Sequence, residues 1–268
     1  MRFRFWATWR GMHASLSLSE STLLAFALVL SRIAGIFIFV PLPTQDAGPG
    51  TARIAMALAC TMALYPRWPV IDADGVGLST LVLWMVAEIG LGTAIGLMVG
   101  FISESLTFGA QLIALQAGYG YASVVDPTTQ ADSDVLKVVA QLAGGLLFFT
   151  TGLHRYVISA FAASLDTYPP GSFTLSRDLA TTVIQLGSSV FLVGLRLASP
   201  IIGLLLVTDL ALALLGRVSS HLQLSNHAFS AKMLLSLVAM AAVFAVAPAL
   251  YQSFSSEVLH KIQANFAR

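Results

Sequence analysis

The chain has 268 residues, of which 57% are apolar and only 10% are charged, and its mean hydropathy is +0.82. A typical soluble domain has about 25% charged residues, so this composition excludes an ordinary soluble protein and indicates a chain that lies in a bilayer or inside a larger membrane assembly. The net charge of +1 gives no basic or acidic surface of the kind that binds nucleic acid.

The first element is an N-terminal extension, residues 1–15, that is rich in basic and aromatic side chains. Three arginines precede the first apolar run: Arg2, Arg4 and Arg10. A charged start of this kind can imitate a secretory signal. However, the apolar run over 22–41 is longer than a usual signal core, and Arg32 interrupts it. We therefore expect the extension to remain uncleaved and to lie at the membrane surface.

Seven apolar stretches follow, and we predict that they are helical, because the alternating ten-residue segments of a membrane β-barrel are not visible. They cover residues 22–42, 52–65, 77–102, 105–125, 135–165, 179–215 and 231–254. The second is too short to span a bilayer. The sixth would be about 55 Å long as a straight helix, which exceeds the bilayer core, and Pro200 should kink or divide it. These lengths favour broken helices and helical hairpins over a regular bundle of spanning helices.

Proline and glycine predict where the helices end. The two prolines in 41–43 end the first helix, and residues 65–69 end the second. We expect the Asp-Pro pair at 126–127 to stop the fourth helix, because a residue before proline avoids the helical conformation. Residues 103–105 contain neither proline nor glycine, so the third and fourth stretches are compatible with one continuous helix.

Among the charged residues within or between the apolar stretches, five are the candidates for a role: Arg32, Glu88, Glu104, Arg196 and Asp209. Charges at bilayer depth are costly, so such side chains are paired or face water. Two interpretations stay open, a proton or ion path and structural pairing within or between subunits. Structural pairing is favoured because two bases and three acids can nearly neutralise one another. The sequence does not determine which residue pairs with which.

Several glycines are placed where helices could pack closely. Gly92, Gly96 and Gly100 recur every four residues, with Gly90 beside them, and small residues on one helix face let two backbones approach. We interpret this face as close packing rather than as a moving part, and the pair at 144–145 in the same way. By contrast, the two glycines of 118–120, closely followed by Asp-Pro, predict a pliable helix end, since glycine weakens a helix by about 1 kcal/mol relative to alanine.

Signals of enzymatic chemistry are missing from the sequence. It contains no HExxH, GxSxG or P-loop motif. The five histidines have no metal-ligand spacing: His13, His154, His221, His227 and His260. Cys60 is the only cysteine, which excludes an internal disulfide or a cysteine-based metal site. We therefore predict neither an enzyme nor a cofactor.

The order and spacing of these residues over 16–250 resemble the FliR family, the flagellar member of the FliR/SctT group of type III export gate subunits. The matching elements are, in chain order, Leu16-Ser17-Leu18, Arg32-Ile33-Ala34-Gly35, Ala52-Arg53-Ile54, Glu88 with Gly92 and Gly96, Gly120 with Ala122, Asp126 and Pro127, Gly152-Leu153-His154, Ser164 with Pro169 and Gly171, Gly194-Leu195-Arg196-Leu197-Ala198-Ser199-Pro200, Asp209-Leu210-Ala211-Leu212, and Arg217.

The resemblance implies an all-α, membrane-type fold in which FliP-like and FliQ-like parts are joined in one chain. It implies a single domain over 16–255, followed by a short polar tail over 256–268. FliP-like and FliQ-like subunits are the implied partners in a closed helical assembly, with FlhB-like and FlhA-like proteins as neighbours. That assembly would form the pore through which unfolded flagellar proteins leave the cytoplasm, in the bacterial inner membrane and the flagellar basal body.

The resemblance also places residues 116–127 at the inner constriction of the pore, as part of a plug. The segment 105–125 contains no charged side chain, which suits a pore that must admit many substrates. The pore and plug candidates are Gln111, Gln116, Gly118, Tyr119, Gly120, Tyr121, Ala122, Ser123, Asp126 and Pro127.

Three alternative functions are weighed against the flagellar gate. An injectisome gate subunit would use the same architecture, but the Asp-Pro pair at 126–127 and the Gly-x-His element at 152–154 look more like the flagellar member. A small-molecule or ion transporter would use Glu88, Arg196 and Asp209 as a relay. An intramembrane enzyme lacks a catalytic constellation.

Overall fold

The computed structural model describes residues 19–41, 50–71, 76–119, 135–172, 177–218 and 224–266. Seven α-helices occupy these ranges: α1 Glu20–Phe39, α2 Gly50–Ala63, α3 Leu78–Ala117, α4 Val135–Thr150, α5 Leu153–Thr167, α6 Arg177–Val218 and α7 Leu224–Phe266. A 3₁₀ turn, Tyr65–Arg67, follows α2. No strand occurs in these ranges, and the predicted all-α fold is confirmed.

The first two helices begin and end where their local chemistry predicts. The hydroxyl of Ser19 accepts a hydrogen bond from the backbone N–H of Thr22, which caps the first turn of α1. Phe39 is the last residue of α1, just before the prolines of 41–43. The second helix is only 14 residues long and gives way to the turn that contains Pro66. The prediction of a short second arm is confirmed.

The third and fourth apolar stretches form one helix of 40 residues, α3, so the continuity through 103–105 is confirmed. The helix ends at Ala117, where Gly118 adopts φ 91° and its N–H bonds to the carbonyls of Ala114 and Leu115. A positive φ suits glycine, which has no Cβ to clash. The prediction that the Asp-Pro pair at 126–127 stops this helix is therefore wrong, because glycine ends it earlier.

Pro200 does not divide α6, which remains one helix of 42 residues. Proline has no N–H to donate to the carbonyl four residues earlier, which belongs to Arg196. The hydroxyl of Ser199 donates to that carbonyl instead, at 3.2 Å. The predicted division at Pro200 is thus wrong because a neighbouring side chain replaces the missing backbone donor.

Other helices are broken, as the irregular lengths of the apolar stretches predict. The axes of α4 and α5 differ by 67° across a break at Gly152, which adopts φ 75°. The last helix bends by 55° between Ala245 and Ala247, beside Pro248. It then continues to Phe266 and buries Val258 and Ile262, within the segment 256–268 that was expected to be a polar tail.

The long helix α3 is central and packs against α1, α4, α6 and α7. Its fully buried side chains include Leu91, Ile95 and Met98. Among the described ranges, three helices are long and apolar enough to cross a membrane, namely α1, α3 and α6. That number rises to five if each bent pair counts as one span. The chain is therefore membrane-type, with fewer simple spans than its seven apolar stretches suggest.

Glycines set the distance between α1 and α3. A Cβ added at Gly96 would lie 2.5 Å from the carbonyl oxygen of Ile36, and one added at Gly35 would lie 2.5 Å from that of Ile89. At Gly92 an added Cβ would collide with the carbonyl of Arg32. Contacts this close admit only glycine. This geometry supports the close-packing interpretation for Gly92 and Gly96, but not for Gly90, where an added Cβ would meet nothing within 4 Å.

Candidate functional site

An ion pair between α1 and α3 lies at the centre of the protein. Arg32 and Glu88 are 56 positions apart in sequence, and the Nε of Arg32 donates to Oε2 of Glu88. Both side chains are 0% exposed. The glycine contact between α1 and α3 lies directly beside the pair, because the carbonyl that meets Gly92 belongs to Arg32.

The other hydrogen bonds of Arg32 and Glu88 hold the end of α5 and the loop that follows it against α1 and α3. The two other nitrogens of Arg32 donate to the backbone carbonyls of Ser164 and Tyr168, each at 2.8 Å. The second carboxylate oxygen of Glu88 accepts the backbone N–H of Gly171 at 3.0 Å. Every nitrogen of the guanidinium and both oxygens of the carboxylate are thus engaged, as a stable buried pair requires. This arrangement favours structural pairing over an ion path.

A second ion pair joins α6 and α7 near the end of α3. Lys232 Nζ lies 2.9 Å from Oδ1 of Asp209, and the side chain of Lys232 is only 12% exposed. Gln116 donates to Oδ2 of the same carboxylate at 3.2 Å. Close by, the hydroxyl of Tyr119 donates to the carbonyl of Met233 at 3.1 Å. These bonds fix the last turn of α3 to both C-terminal helices.

Sequence reasoning missed Lys232, although it lies at the start of the last apolar stretch. A lysine at the edge of an apolar run resembles an ordinary flanking charge, whose stem lies along apolar surface while the ammonium reaches water. The signal that could have identified Lys232 is the position of Asp209, which lies well inside an apolar run and needs a cation as its partner.

The structure does not bring the remaining charged residues into a relay. Glu104 and Arg196 are both exposed, on α3 and α6. Arg196 and Asp209 lie about 20 Å apart along α6, since a helix rises about 1.5 Å per residue. Because Asp209 binds Lys232 and Glu88 is enclosed by its own partners, a path through Glu88, Arg196 and Asp209 is not favoured.

Only the beginning of the expected plug falls in the part of the chain that the structure describes. Gln111, Gln116, Gly118 and Tyr119 are half-buried in and after the last turns of α3. Six of the candidates lie outside the described residues: Gly120, Tyr121, Ala122, Ser123, Asp126 and Pro127. The role of the whole segment therefore stays a prediction.

An apolar pocket of about 80 Å³ lies between α1, α2 and the α4–α5 pair. Cys60 and His154 line it, and the buried Nδ1 of His154 has no hydrogen-bond partner among the described residues. Burial raises the pKa of the Cys60 thiol, because desolvation disfavours the thiolate. Within the same ranges no group of three histidine, cysteine or acidic side chains is placed to hold a metal ion.

Comparison with known proteins gives matches over most of the chain. The sequence model of the family described as "Bacterial export proteins, family 1" matches residues 23–258. The chain is 28% identical to the flagellar biosynthetic protein FliR of Escherichia coli over 232 residues, which cover 86% of this chain and 88% of that protein. It is 27% identical to FliR of Caulobacter vibrioides over 74% of this chain and 79% of the relative. It is also 24% identical to the Yop proteins translocation protein T of Yersinia pestis, over 76% and 80% of the two chains.

Proposed function

Because the chain belongs to the family of bacterial export proteins, family 1, we propose that it joins FliP-like and FliQ-like subunits in the flagellar type III export gate. The observation that carries the proposal is the family match over residues 23–258, together with similarity to FliR proteins over most of both chains. A member of this family is a transport component and not an enzyme. The chain is therefore a membrane-embedded subunit of a type III export gate.

The exposed surface supports assembly with other subunits. Helix α2 is too short to cross a bilayer, and α4 and α5 meet at a sharp break. Non-helical backbone and exposed charges at membrane depth are tolerated only where protein or water covers them. Neighbouring FliP-like and FliQ-like subunits would supply that cover. FlhB-like and FlhA-like proteins, the inner membrane and the flagellar basal body complete the proposed setting, and unfolded flagellar proteins are the proposed substrates.

The flagellar setting is preferred to a virulence injectisome. Both kinds of relative match the chain, so the family alone does not separate them. The flagellar FliR of Escherichia coli covers more of the chain than the Yersinia protein does, 86% against 76%. The Gly-x-His element at 152–154 also resembles the flagellar member.

Deletion of the gene tests the flagellar assignment. Cells without the chain should no longer export flagellar subunits into the medium, and a plasmid copy should restore export. Immunoblots of the medium and of whole cells distinguish failed export from failed synthesis. Unchanged flagellar export, with loss of export by an injectisome in the same cells, would instead assign the chain to the injectisome.

We further propose that residues 116–127 form a movable closure on the pore axis. Gln116 and Tyr119 are bonded to Asp209 and Met233, so the anchored part of this segment ends close to the Gly118 cap. Beyond that anchor the chain has the glycine at position 120, which lacks a side chain and accepts bent conformations.

Deleting residues 118–123 is expected to leave the gate assembled but permeable to small ions, which conductance measurements on cells making the variant would detect. A narrower deletion of 120–123 keeps the Gly118 cap and the Tyr119 bond, and should also leak. Gly120→Val should slow export, because a β-branched side chain restricts the backbone. An assembled deletion variant as tight as the parent would show that the segment is ordinary packing.

Asp209→Asn separates structural pairing from a proton relay. The amide cannot neutralise Lys232, whose side chain is only 12% exposed, so the yield of assembled complex should fall. The pH dependence of the remaining export should not change. Asp166→Asn is the control, because Asp166 pairs with Arg67 on the exposed surface and should have little effect. Normal assembly with export lost only at one end of the pH range would favour the relay.

A further inference from the structure

The face of α6 that points away from α3 is unlike an ordinary lipid-facing surface. Helix α6 packs on its neighbours through buried side chains such as Leu186, Leu197 and Ile201. Arg196 points more than about 100° away from the middle of this packed side, at about 100° per residue, and is exposed. It stands near the middle of a helix that is long and apolar enough to span a membrane.

Seven exposed residues share this side of the helix, and together they form what we call the outer α6 face: Gln185, Ser188, Leu192, Leu195, Arg196, Ser199 and Gly203. Spacings of three and four residues keep them on one stripe. Leu192 and Leu195 are the large apolar side chains among them. Beyond Gly203 the same stripe continues with Leu206, Leu210 and Leu214, all exposed and apolar. The composition therefore changes along one stripe, and only its second half suits acyl chains.

Arg196 makes the outer α6 face a poor surface for lipid. It forms no ion pair with any residue in the described ranges. Of the two acidic residues on the same helix, Asp209 is already bound to Lys232, and Asp178 lies in the first turn, about 27 Å from Arg196 along the axis at about 1.5 Å per residue. A guanidinium at membrane depth needs an acceptor, and the best acceptor is a carboxylate that binds two of its N–H groups.

Two small residues beside Arg196 leave room for a close neighbour. A Cβ added at Gly203 would meet no atom within 4 Å, so the space over it is not filled by this chain. The hydroxyl of Ser199 is turned back to its own helix, to the carbonyl of Arg196. Small residues four positions apart allow a second helix to approach closely.

We propose that the outer α6 face docks a helix of another subunit of the gate, which presents a carboxylate to Arg196 and packs closely over Ser199 and Gly203. The proposal rests on the proposed function, since it specifies one contact of this chain within that assembly. Charge complementarity favours a partner helix that carries an acidic side chain, rather than the acyl chains of a bilayer.

A matched pair of glycine substitutions tests the docking. Gly203 and Gly216 both lie exposed on α6, and an added Cβ meets nothing within 4 Å at either position. Gly203 is on the face of Arg196, whereas Gly216 points about 140° away from Gly203 at about 100° per residue. Leucine at either site therefore spares the packing of the chain itself and is compatible with lipid.

The measurement is the amount of parent or variant chain recovered with its neighbouring subunits after co-expression and purification in mild detergent. Gly203→Leu should lower recovery about tenfold, the scale expected when a side chain is forced into a close contact, while Gly216→Leu should match the parent. Equal recovery of both variants would overturn the proposal and leave lipid or water as the cover. A parent chain that recovers no neighbours would instead contradict the proposed function itself.

Substitutions of Arg196 test the chemistry of the contact. Arg196→Gln and Arg196→Glu should both lower recovery, with the reversed charge giving the larger loss, and Arg196→Lys should retain part of it. A photo-crosslinker at position 203 then locates the facing segment. Replacing the acidic residue of that facing segment with arginine should restore the recovery of neighbouring subunits with the Arg196→Glu variant. Unchanged recovery with Arg196→Glu, or a facing segment without an acidic residue, would refute the ion pair.

Discussion

Arg32→Ala is expected to prevent most of the chain from reaching its folded state. The substitution leaves Glu88 buried and without its cation, and it removes the hydrogen bonds that Arg32 donates to the carbonyls of Ser164 and Tyr168. Breaking one side of a buried ion pair costs about 3–5 kcal/mol, a large share of the roughly 5–15 kcal/mol that stabilises a typical domain. Resistance to protease in isolated membranes, together with the recovery of assembled gate, measures the loss.

Two variants separate this effect from a general sensitivity to substitution. Arg32→Met combined with Glu88→Leu removes both charges and should recover part of the folded fraction, because apolar groups can replace a buried pair. Recovery should be incomplete, since the N–H of Gly171 loses its acceptor on Glu88 and the carbonyls of Ser164 and Tyr168 each lose a donor. Arg67→Ala removes an exposed pair and should be close to neutral. Arg32→Ala with the stability of the parent would contradict the structure of this network.

Gly92→Ala is expected to destabilise the contact between α1 and α3 by about 1–3 kcal/mol or more, the usual range for overpacking a dense interior. The new methyl group would collide with the backbone of α1 at Arg32, and backbone cannot rotate aside as a side chain can. The shift would also displace Arg32 from its partners. A lower thermal midpoint of the purified assembly in detergent, with less chain assembled, is the expected result.

Gly90→Ala is the matched control for this substitution. It adds the same methyl group two positions away on the same helix, where an added Cβ meets nothing within 4 Å. Because alanine favours a helix by about 1 kcal/mol over glycine, this variant should be as stable as the parent or slightly more stable. Equal thermal midpoints for the two variants would show that α1 and α3 are not in the contact described for Gly92.

The features that sequence predicted best are those fixed by near neighbours in the chain. Prolines after Phe39 and within the turn at Tyr65–Arg67 end two helices, and no local signal interrupts α3 near position 104. Spacing alone also identified the glycines of α3 that meet α1. For the two helix ends and for the continuity of α3, the decisive chemistry lies within a few residues of the position it determines.

Other features depended on contacts that the linear sequence does not display. The pairing of Arg32 with Glu88 and of Asp209 with Lys232 needs the packing of separate helices. Pro200 was expected to kink or divide α6, but whether the hydroxyl of Ser199 reaches the freed carbonyl and keeps the helix undivided depends on its rotamer. Gly118 ends α3 through a left-handed conformation that the glycines inside the described helices do not adopt. For the candidate plug, the sequence shows which residue types are present, and the structure shows the hydrogen bonds of Gln116 and Tyr119 that hold its beginning.

Purification of the full-length chain from its own cells in mild detergent, followed by mass spectrometry of what co-purifies, tests the central claim most directly. We predict one complex that contains FliP-like and FliQ-like subunits with this chain, and an unstable chain when the FliP-like subunit is missing. A folded, monodisperse monomer that carries neither kind of subunit, from cells that make both, would contradict the account.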